Sequence, residues 1–262
     1  MNQEFLKIAQ ELAMKAGELA LSMQTNLGEI KEKQAKDYVT KADLACDKLI
    51  RETITNLFPE HGLITEENSD INPDSDYQWH IDPIDGTNNY AHRLPLWAIL
   101  IGLEYQGEMQ LGVAFCPAMN ELYYATKGGG AFCNGKAIKT SMENPERGIL
   151  VTNGINIGEE SEHAAFNKRY VELIQKIAPD VSSIRSFGTA AYASLMVASG
   201  ACTAYIAYGC KSWDLAAVSL IVEEAGGICK SADGSDLDLK NTEKGVWLCS
   251  QPAYQKLGKL TF

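Results

Sequence analysis

The segment Asp82–Thr87 constrains the fold of this chain more than any other, because two carboxylates, a proline, a glycine and a hydroxyl follow one another there. It comes directly after the apolar run 79–81, which predicts a strand that ends at this point. Pro83 fixes its own φ and restricts the residue before it, so both aspartates are held at one end of that strand. Hard cations prefer several oxygen ligands, and a phosphate group prefers free backbone N–H groups. The segment therefore predicts a site for a divalent cation and an anion.

Two further acidic elements complete the predicted site. Glu66 and Glu67 follow the apolar run 62–65, and Asp214 lies in the first turn of a predicted helix, where the helix dipole stabilises a carboxylate. Magnesium binds proteins through a few carboxylates, with water and substrate phosphate completing an octahedral shell. A short helix beginning at Thr87 would add N–H groups for the phosphate. The oxygen ligands predicted for the cation are the carboxylates of Glu66, Asp82, Asp85 and Asp214 and the backbone carbonyl of Ile84.

Charge and composition argue against several classes of binding partner for this protein. The net charge is −11 and no basic stripe occurs, which argues against a nucleic-acid partner because phosphate neutralisation dominates such binding. The seven cysteines are scattered without a C-x-x-C pair, so we expect buried thiols rather than a zinc site. The N-terminus lacks the pattern of a signal peptide, and no apolar run is long enough to span a membrane. We therefore expect a cytoplasmic protein with no membrane partner.

The hydrophobic periodicity changes along the chain and predicts mixed α and β structure in layers. Helices are expected at 3–26, 43–57, 160–177, 188–199 and 214–225, and strands at 78–82, 96–105, 109–116, 121–125, 149–153, 203–208 and 245–249. Residues 68–76 are predicted to form a loop, and Gln106-Gly107 a tight hairpin turn. Residues 1–144 are expected to form an N-terminal half with the metal and phosphate site, and residues 145–262 a C-terminal half that contributes Asp214 and a substrate wall.

Two other motifs come close to known ligand-binding loops. The segment 130–137 fits a phosphate-binding loop until its last position, where Ala137 has no hydroxyl for magnesium and no helical pattern follows. We interpret it as a tight turn. A calcium-binding EF-hand around Asp82 fails because Arg93 stands where that loop needs a glutamate, and because Pro83 intrudes.

The combined motifs resemble the inositol monophosphatase family, within the larger fructose-bisphosphatase-like, lithium-sensitive group of phosphatases. The resemblance extends over nearly the whole chain, from Tyr38–Asp43 to Glu223–Gly227. Its most specific parts are Trp79–Tyr90 and Trp213–Ala217, and Arg185–Ala191 is similar to the start of the substrate-side helix of the family. The resemblance implies a layered α-β-α-β-α sandwich and a magnesium-dependent phosphomonoesterase that acts on inositol monophosphate or a related sugar or polyol phosphate.

The resemblance also implies a role for each site residue. One magnesium ion would be held by Glu66, Asp82 and the Ile84 carbonyl, a second by Asp82, Asp85 and Asp214, and a third, weaker one by Glu66 and water. Thr87 and Asp43 match the pair that orients or deprotonates the attacking water, with Glu66 as a further catalytic residue. The substrate contacts implied are Asp85, Gly86, Thr87, Ala190 and Asp214, and the amides of Gly86 and Thr87 would hold the phosphate. Glu67 would steady metal-bound water from outside the ligand shell. Lys36, or its neighbours Lys31 and Lys33, would lie in a loop that closes over the site.

One position departs from the family pattern. Family members that act on inositol phosphates carry a glutamate seven residues before the aspartate of the Trp-Asp pair, and this chain has Ala207 there. Because this chain lacks that acceptor for a substrate hydroxyl, 3′-phosphoadenosine phosphate, NADP and fructose 1,6-bisphosphate remain alternative substrates. Tyr205 and Tyr208 are candidate stacking surfaces for a nucleotide. A catalytically silent regulatory relative is the alternative from another class. A homodimer is usual for the family, and the stretch Leu94–Ala98 is a candidate for its interface or for the core.

Overall fold

The structure is a computed structural model that describes residues 2–25, 31–34, 37–152, 161–242 and 245–258. In these ranges it contains helices α1 (Asn2–Gln24), α2 (Lys41–Leu57), α3 (Thr87–Ala91), α4 (Ser161–Ile177), α5 (Ala190–Ala198), α6 (Ser212–Glu224) and α7 (Gln251–Leu257). The strands are β1 (Lys31–Gln34), β2 (Asp37–Val39), β3 (Gly62–Thr65), β4 (Tyr77–Asp85), β5 (Ala98–Tyr105), β6 (Glu108–Cys116), β7 (Glu121–Thr126), β8 (Gly130–Cys133), β9 (Lys136–Ala137), β10 (Ile149–Thr152), β11 (Ser183–Ser186), β12 (Ala204–Ala207), β13 (Ile228–Ser231) and β14 (Val246–Cys249).

Two large sheets organise these elements. The first has the strand order β3-β4-β5-β6-β7-β8-β9 and is antiparallel except for the β3–β4 pair. The second has the order β11-β10-β12-β14-β13, with β11, β10 and β12 parallel. Strands β1 and β2 form a separate two-stranded sheet. The predicted turn at Gln106-Gly107 is confirmed, because both residues have positive φ and join β5 to β6 without intervening residues.

The helices form three layers around the two large sheets. Helices α1 and α2 pack on the outer face of the seven-stranded sheet, and α5 and α6 lie between the two sheets. Helices α4 and α7 cover the outer face of the five-stranded sheet, where Tyr170, Leu173 and Leu257 are buried. This α-β-α-β-α order confirms the expected layered sandwich.

The central helix α6 approaches the seven-stranded sheet very closely. A helix buried on both sides is apolar around its whole circumference, and residues 215–222 of α6 are all buried. Gly112 on β6 permits the approach, because a Cβ atom there would lie 2.2 Å from the carbonyl oxygen of Ala217. The central hydrophobic cluster contains residues of both sheets, including Leu100 and Leu248. The division of the chain at residues 144 and 145 stays a prediction.

The hydrophobic periodicity of the sequence does not predict several short elements. Strands β3, β8, β9, β11 and β13 and helix α7 are 2 to 7 residues long, too short for a period to be read. The predicted loop 68–76 contains Ile71, which forms a bridge with Leu63 beside β3. The segment 130–137 is a hairpin of β8 and β9 around Asn134 and Gly135, both with positive φ, as the tight-turn interpretation required. In the described part of the chain, no helix is both long and apolar enough to span a membrane.

Candidate metal and phosphate site

A bulge in β4 places Asp82 and Asp85 on the same side of the sheet. Residues three apart on a regular strand point to opposite faces. Asp82 pairs with Leu100 of β5 and Asp85 pairs with Ala98, so β4 contains one extra residue between them. That extra residue restores a common face for the two carboxylates. The amide of Ile84 within the bulge donates a hydrogen bond to Asp82 Oδ1 at 3.0 Å.

Asp214 reaches the same place from the other half of the chain. It is the third residue of α6, and its Oδ2 accepts a hydrogen bond from the backbone N–H of Lys211 at 2.7 Å, which caps the helix. One carboxylate oxygen each from Asp82, Asp85 and Asp214 lie within 4.8 Å of one another. The predicted convergence of these distant acids is therefore present in the folded molecule.

Glu66 joins the cluster through the parallel pairing of β3 with β4. Thr65 lies opposite Ile81, and the amide of Glu66 donates to the Ile81 carbonyl at 3.3 Å, which places Glu66 beside Asp82. The charge of Glu66 is among the causes that raise the pKa of the buried Asp82 carboxyl. Two carboxylates this close repel each other when both are ionised, so a cation between them would be favoured.

Burial and mutual repulsion raise the pKa values of the acids in the cluster. Burial raises the pKa of Asp82 well above its usual range, and the charges of Glu66, Asp85 and Asp214 raise it further. Burial also raises the pKa of Asp85 to about 6, and that of Asp214 well above its ordinary value, with the charge of Asp85 as the next cause. Buried carboxylates this close are unfavourable as bare anions. Oxygen ligands in a buried acidic cluster are what a magnesium ion requires, so the residues present fit that ion.

Asp85 also connects the cluster to α5. Thr189 Oγ1 and the amide of Ala191 (2.9 Å) donate to Asp85 Oδ2, and the amide of Ala190 donates to Oδ1 at 3.2 Å. The carboxylate thus occupies the N-terminal end of α5, where free N–H groups and the helix dipole favour an anion. Ala190, an expected substrate contact, is placed at the site by this bond.

Thr87 and Asp43 form the predicted pair. Thr87 Oγ1 lies 3.0 Å from Asp43 Oδ1 and 3.1 Å from the carbonyl oxygen of Ile84. Asp43 is fully buried in α2, and its other oxygen, Oδ2, accepts bonds from the hydroxyl and amide of Thr40. Burial raises the pKa of Asp43, and the hydrogen bonds from Thr40 oppose that rise. The hydroxyl therefore lies between an acid and a predicted metal ligand, and its single proton can be donated to either of these two acceptors.

Gly86 lets the chain turn between the strand and α3. Its φ is +88°, in the left-handed region that favours glycine, and it precedes the first residue of α3. A Cβ atom there would lie 3.0 Å from the Leu96 carbonyl oxygen and 3.1 Å from Thr189 Cβ. A side chain at this position would therefore meet the wall of the site.

The remaining residues that the sequence predicted for the site differ in how far they are buried. Glu67 is half-buried and follows Glu66 directly in the chain. Ala207 is fully buried on β12, and Tyr205 is fully buried with its hydroxyl 3.9 Å from Cys210 Sγ, so Tyr205 offers no open stacking face. Lys36 lies outside the described residues, and so do the side chains of Lys31 and Lys33.

The sequence patterns did not single out every residue of the site. Thr189 belongs to the motif Arg185–Ala191, and a threonine before the small-residue helix α5 is a typical N-cap. Thr40 and Asp43 have the spacing of a capping box, which would have predicted their mutual hydrogen bonds. Further contacts join helix α2 to the segment after β3 through Asp47, Arg51 and Asn68. No sequence pattern near these residues predicts the contacts.

Comparison with known proteins agrees with the geometry. The family model described as the inositol monophosphatase family matches residues 1–259. The chain belongs to the inositol monophosphatase family. It is 33% identical to an inositol-1-monophosphatase of Mesorhizobium japonicum over 242 residues, which is 90% of this chain and 88% of that protein. It is 34% identical to the Nus factor SuhB of Escherichia coli K12 over 232 residues, covering 87% of this chain and 85% of the relative.

A solved inositol monophosphatase from Anabaena has the same fold, with a TM-score of 0.85, 31% identity and coverage of 98% of this chain and 94% of that one. Membership of this family supports a phosphatase of the inositol monophosphatase type, and with it a hydrolase that acts on a phosphate ester.

Proposed function

We propose that the chain is a magnesium-dependent phosphomonoesterase that hydrolyses inositol monophosphate or a related sugar or polyol phosphate with an activated water molecule. The observation that carries the proposal is the approach of Asp82, Asp85 and Asp214 oxygens to within 4.8 Å of one another. Two of these acids come from one sheet and the third from the helix between the sheets, so the fold brings them together at the cost of mutual repulsion. A divalent cation would offset that repulsion.

The residues that would hold magnesium are Glu66, Asp82, Asp85 and Asp214 with the Ile84 carbonyl, for two or three ions per site. When bound, the ions would polarise the phosphoryl oxygens, acidify the attacking water and neutralise the leaving alkoxide. The family resemblance supplies the assignment of ligands to individual ions, and the shared position of the carboxylates supports it.

The chain itself would position the water and the phosphate. Thr87 Oγ1 would accept a hydrogen bond from the attacking water and donate its own proton to Asp43 Oδ1, 3.0 Å away. This orients a lone pair of the water toward phosphorus and gives its proton a route to a carboxylate. The amides of Gly86 and Thr87 would bind phosphate oxygens, with Ala190 lining the substrate wall and Glu67 holding water at the edge of the site.

Release of inorganic phosphate from inositol 1-phosphate tests this proposal. We expect release to need magnesium and to be lost in Asp85→Ala, which removes a predicted ligand. An Asp74→Ala variant, which loses an exposed carboxylate outside the cluster, serves as the control and should retain activity. Equal activity of Asp85→Ala and the parent protein would refute the site assignment. Activity unaltered by millimolar lithium would contradict the expected lithium sensitivity.

The substrate preference depends on the replacement of a family glutamate by Ala207. The buried methyl group offers no acceptor for a substrate hydroxyl, and an unpaired hydroxyl costs about 1–3 kcal/mol where it is buried. A panel with inositol 1-phosphate, sugar phosphates, fructose 1,6-bisphosphate, NADP and 3′-phosphoadenosine phosphate would rank these substrates. A strong preference for 3′-phosphoadenosine phosphate would replace the polyol assignment.

A regulatory role is the second candidate, because relatives 34% identical to this chain are named Nus factors. The presence of every proposed ligand favours turnover. Absence of phosphate release from the whole panel, with magnesium bound, would favour the regulatory role.

A cytoplasmic homodimer is the proposed form of the protein. The family resemblance supports it, and Leu94 in the candidate stretch is 49% exposed whereas Trp97 and Ala98 are fully buried. Only the first part of that stretch is therefore available to a partner subunit. The mass from light scattering after size exclusion distinguishes a dimer from a monomer.

A further inference from the structure

Helix α2 presents a polar stripe toward the metal site. Asp43, Asp47 and Arg51 are spaced four residues apart, so their side chains lie one above the other on a single helix face. Asp43 and Asp47 are fully buried, and the Arg51 side chain is only 18% exposed. Charged groups are buried at this level only when they have defined partners. The first of the three belongs to the catalytic pair, and the other two require a different explanation.

The partners of Asp47 and Arg51 lie in the segment 65–69, which we call the Glu66 loop. Arg51 Nη1 donates to Thr65 Oγ1 at 3.2 Å and to the Ser69 carbonyl at 3.0 Å. Asn68 Nδ2 donates to Asp47 Oδ2, and Arg51 Nε lies 3.7 Å from the same oxygen. The two residues of α2 therefore hold the Glu66 loop on both sides of Glu66.

Electrostatics within the cluster act against the observed position of Glu66. The β3–β4 pairing places Glu66 beside Asp82, and oxygens of Asp82, Asp85 and Asp214 lie within 4.8 Å of one another, so carboxyl groups of like charge are crowded together there. The backbone N–H of Glu66 donates to the Ile81 carbonyl at 3.3 Å, a bond that fixes the backbone and leaves the direction of the side chain to the rest of the loop. A partly exposed loop with a repelled carboxylate would otherwise move away and would have to be ordered again whenever a cation binds.

We propose that Asp47 and Arg51 are positioning residues that hold the Glu66 loop in the geometry needed to bind magnesium. Neither residue touches the substrate or the cation, and both act through Glu66. Groups that orient metal ligands in this way commonly change metal affinity by about 10- to 100-fold when they are removed. The inference rests on the proposed function, because it assigns Glu66 to a magnesium site.

Magnesium binding to the metal-free protein tests the inference without relying on turnover. Titration calorimetry is carried out on the parent protein, Arg51→Leu, Arg51→Lys and the control Lys48→Leu. Lys48 is on the same helix, but its side chain is 72% exposed and pairs only with Glu52, at 3.8 Å, among the described ion pairs. The control therefore loses the same charge without touching the Glu66 loop.

We expect Arg51→Leu to weaken magnesium binding about tenfold, Arg51→Lys to weaken it less, and Lys48→Leu to match the parent. In the phosphate-release assay, Arg51→Leu should need about tenfold more magnesium for half-maximal rate. Its kcat at saturating magnesium and its KM for the ester should stay within about threefold of the parent, because the groups that touch the substrate are unchanged.

A second variant, Asn68→Ala, tests the inference if Arg51→Leu fails to fold. Asn68 is exposed, and Asn68→Ala removes one bond from the Glu66 loop to α2, so we expect a folded protein with magnesium affinity several-fold weaker. Unchanged magnesium affinity in a folded Arg51→Leu or in Asn68→Ala, whatever its stability toward urea, would overturn the inference. If the parent protein itself failed to bind magnesium, the proposed function would fail instead, and the inference with it.

Discussion

The neutral substitution Asp85→Asn is expected to stabilise the metal-free protein at alkaline pH while it removes magnesium binding. Burial raises the pKa of Asp85 from 3.8 to about 6, although Thr189, Ala190 and Ala191 donate hydrogen bonds to the ionised form. A folded-state pKa above the unfolded one means that the native state holds the proton more tightly. The stabilising contribution is therefore full below about pH 3.8 and is lost as pH rises through about 6.

The size of this effect follows from the two pKa values. Their difference corresponds to about 3 kcal/mol between the two pH limits. Asparagine has no charge to bury, but its amide cannot reproduce every hydrogen bond that the carboxylate accepts. We therefore expect Asp85→Asn to increase the free energy of unfolding by about 1–3 kcal/mol at pH 8 in a chelator, and to change it much less at pH 4.

Urea unfolding followed by tryptophan fluorescence measures this directly, with Asp74→Asn as a matched loss of an exposed charge. Magnesium at 100 times its Kd should stabilise the parent by about 2.7 kcal/mol and the variant by much less. If Asp85→Asn lowered the stability of the metal-free protein at pH 8 by 1 kcal/mol or more, the carboxylate would be a structural cap of α5 and the electrostatic reasoning would be refuted.

Substitutions at three further positions test the site and the packing of the fold. Thr87→Val removes the hydroxyl next to Asp43 and should lower kcat about 100-fold or more, whereas Thr87→Ser should keep most of the rate; equal kcat for Val and the parent would remove Thr87 from the mechanism. Gly112→Ala places a Cβ atom 2.2 Å from the Ala217 carbonyl oxygen and should destabilise the fold by about 1–3 kcal/mol in urea; unchanged stability would mean that α6 can move away freely. Glu67→Gln should reduce activity about 10-fold with little change in stability, and full activity would contradict its proposed role.

The ligands of the site were predictable because their chemistry is local. Asp82, Pro83 and Asp85 are close in the chain, and the helix start at Asp214 is visible from the apolar run that follows it. The structure places the carboxylates of both segments together, as the sequence predicted. The roles given to the individual residues stay predictions until they are tested.

The details that depend on distant pairing were not visible in the sequence. The bulge that aligns Asp82 with Asp85 exists only in the register with β5, and the parallel register of β3 with β4 sets the place of Glu66. Likewise, the hydrogen bond between Asp85 and Thr189 joins residues that are 104 positions apart in the sequence. Patterns along one segment carry no information about such registers, since neighbouring strands and helices fix them only on folding.

The central claim is that acids from separate parts of the chain form one magnesium site. Titration of magnesium into metal-free parent protein and into Asp214→Asn tests it most directly, because the asparagine can still accept the capping bond from the Lys211 amide. The account predicts magnesium binding by the parent and an affinity at least tenfold weaker in the variant. Identical binding isotherms for the two proteins would contradict it.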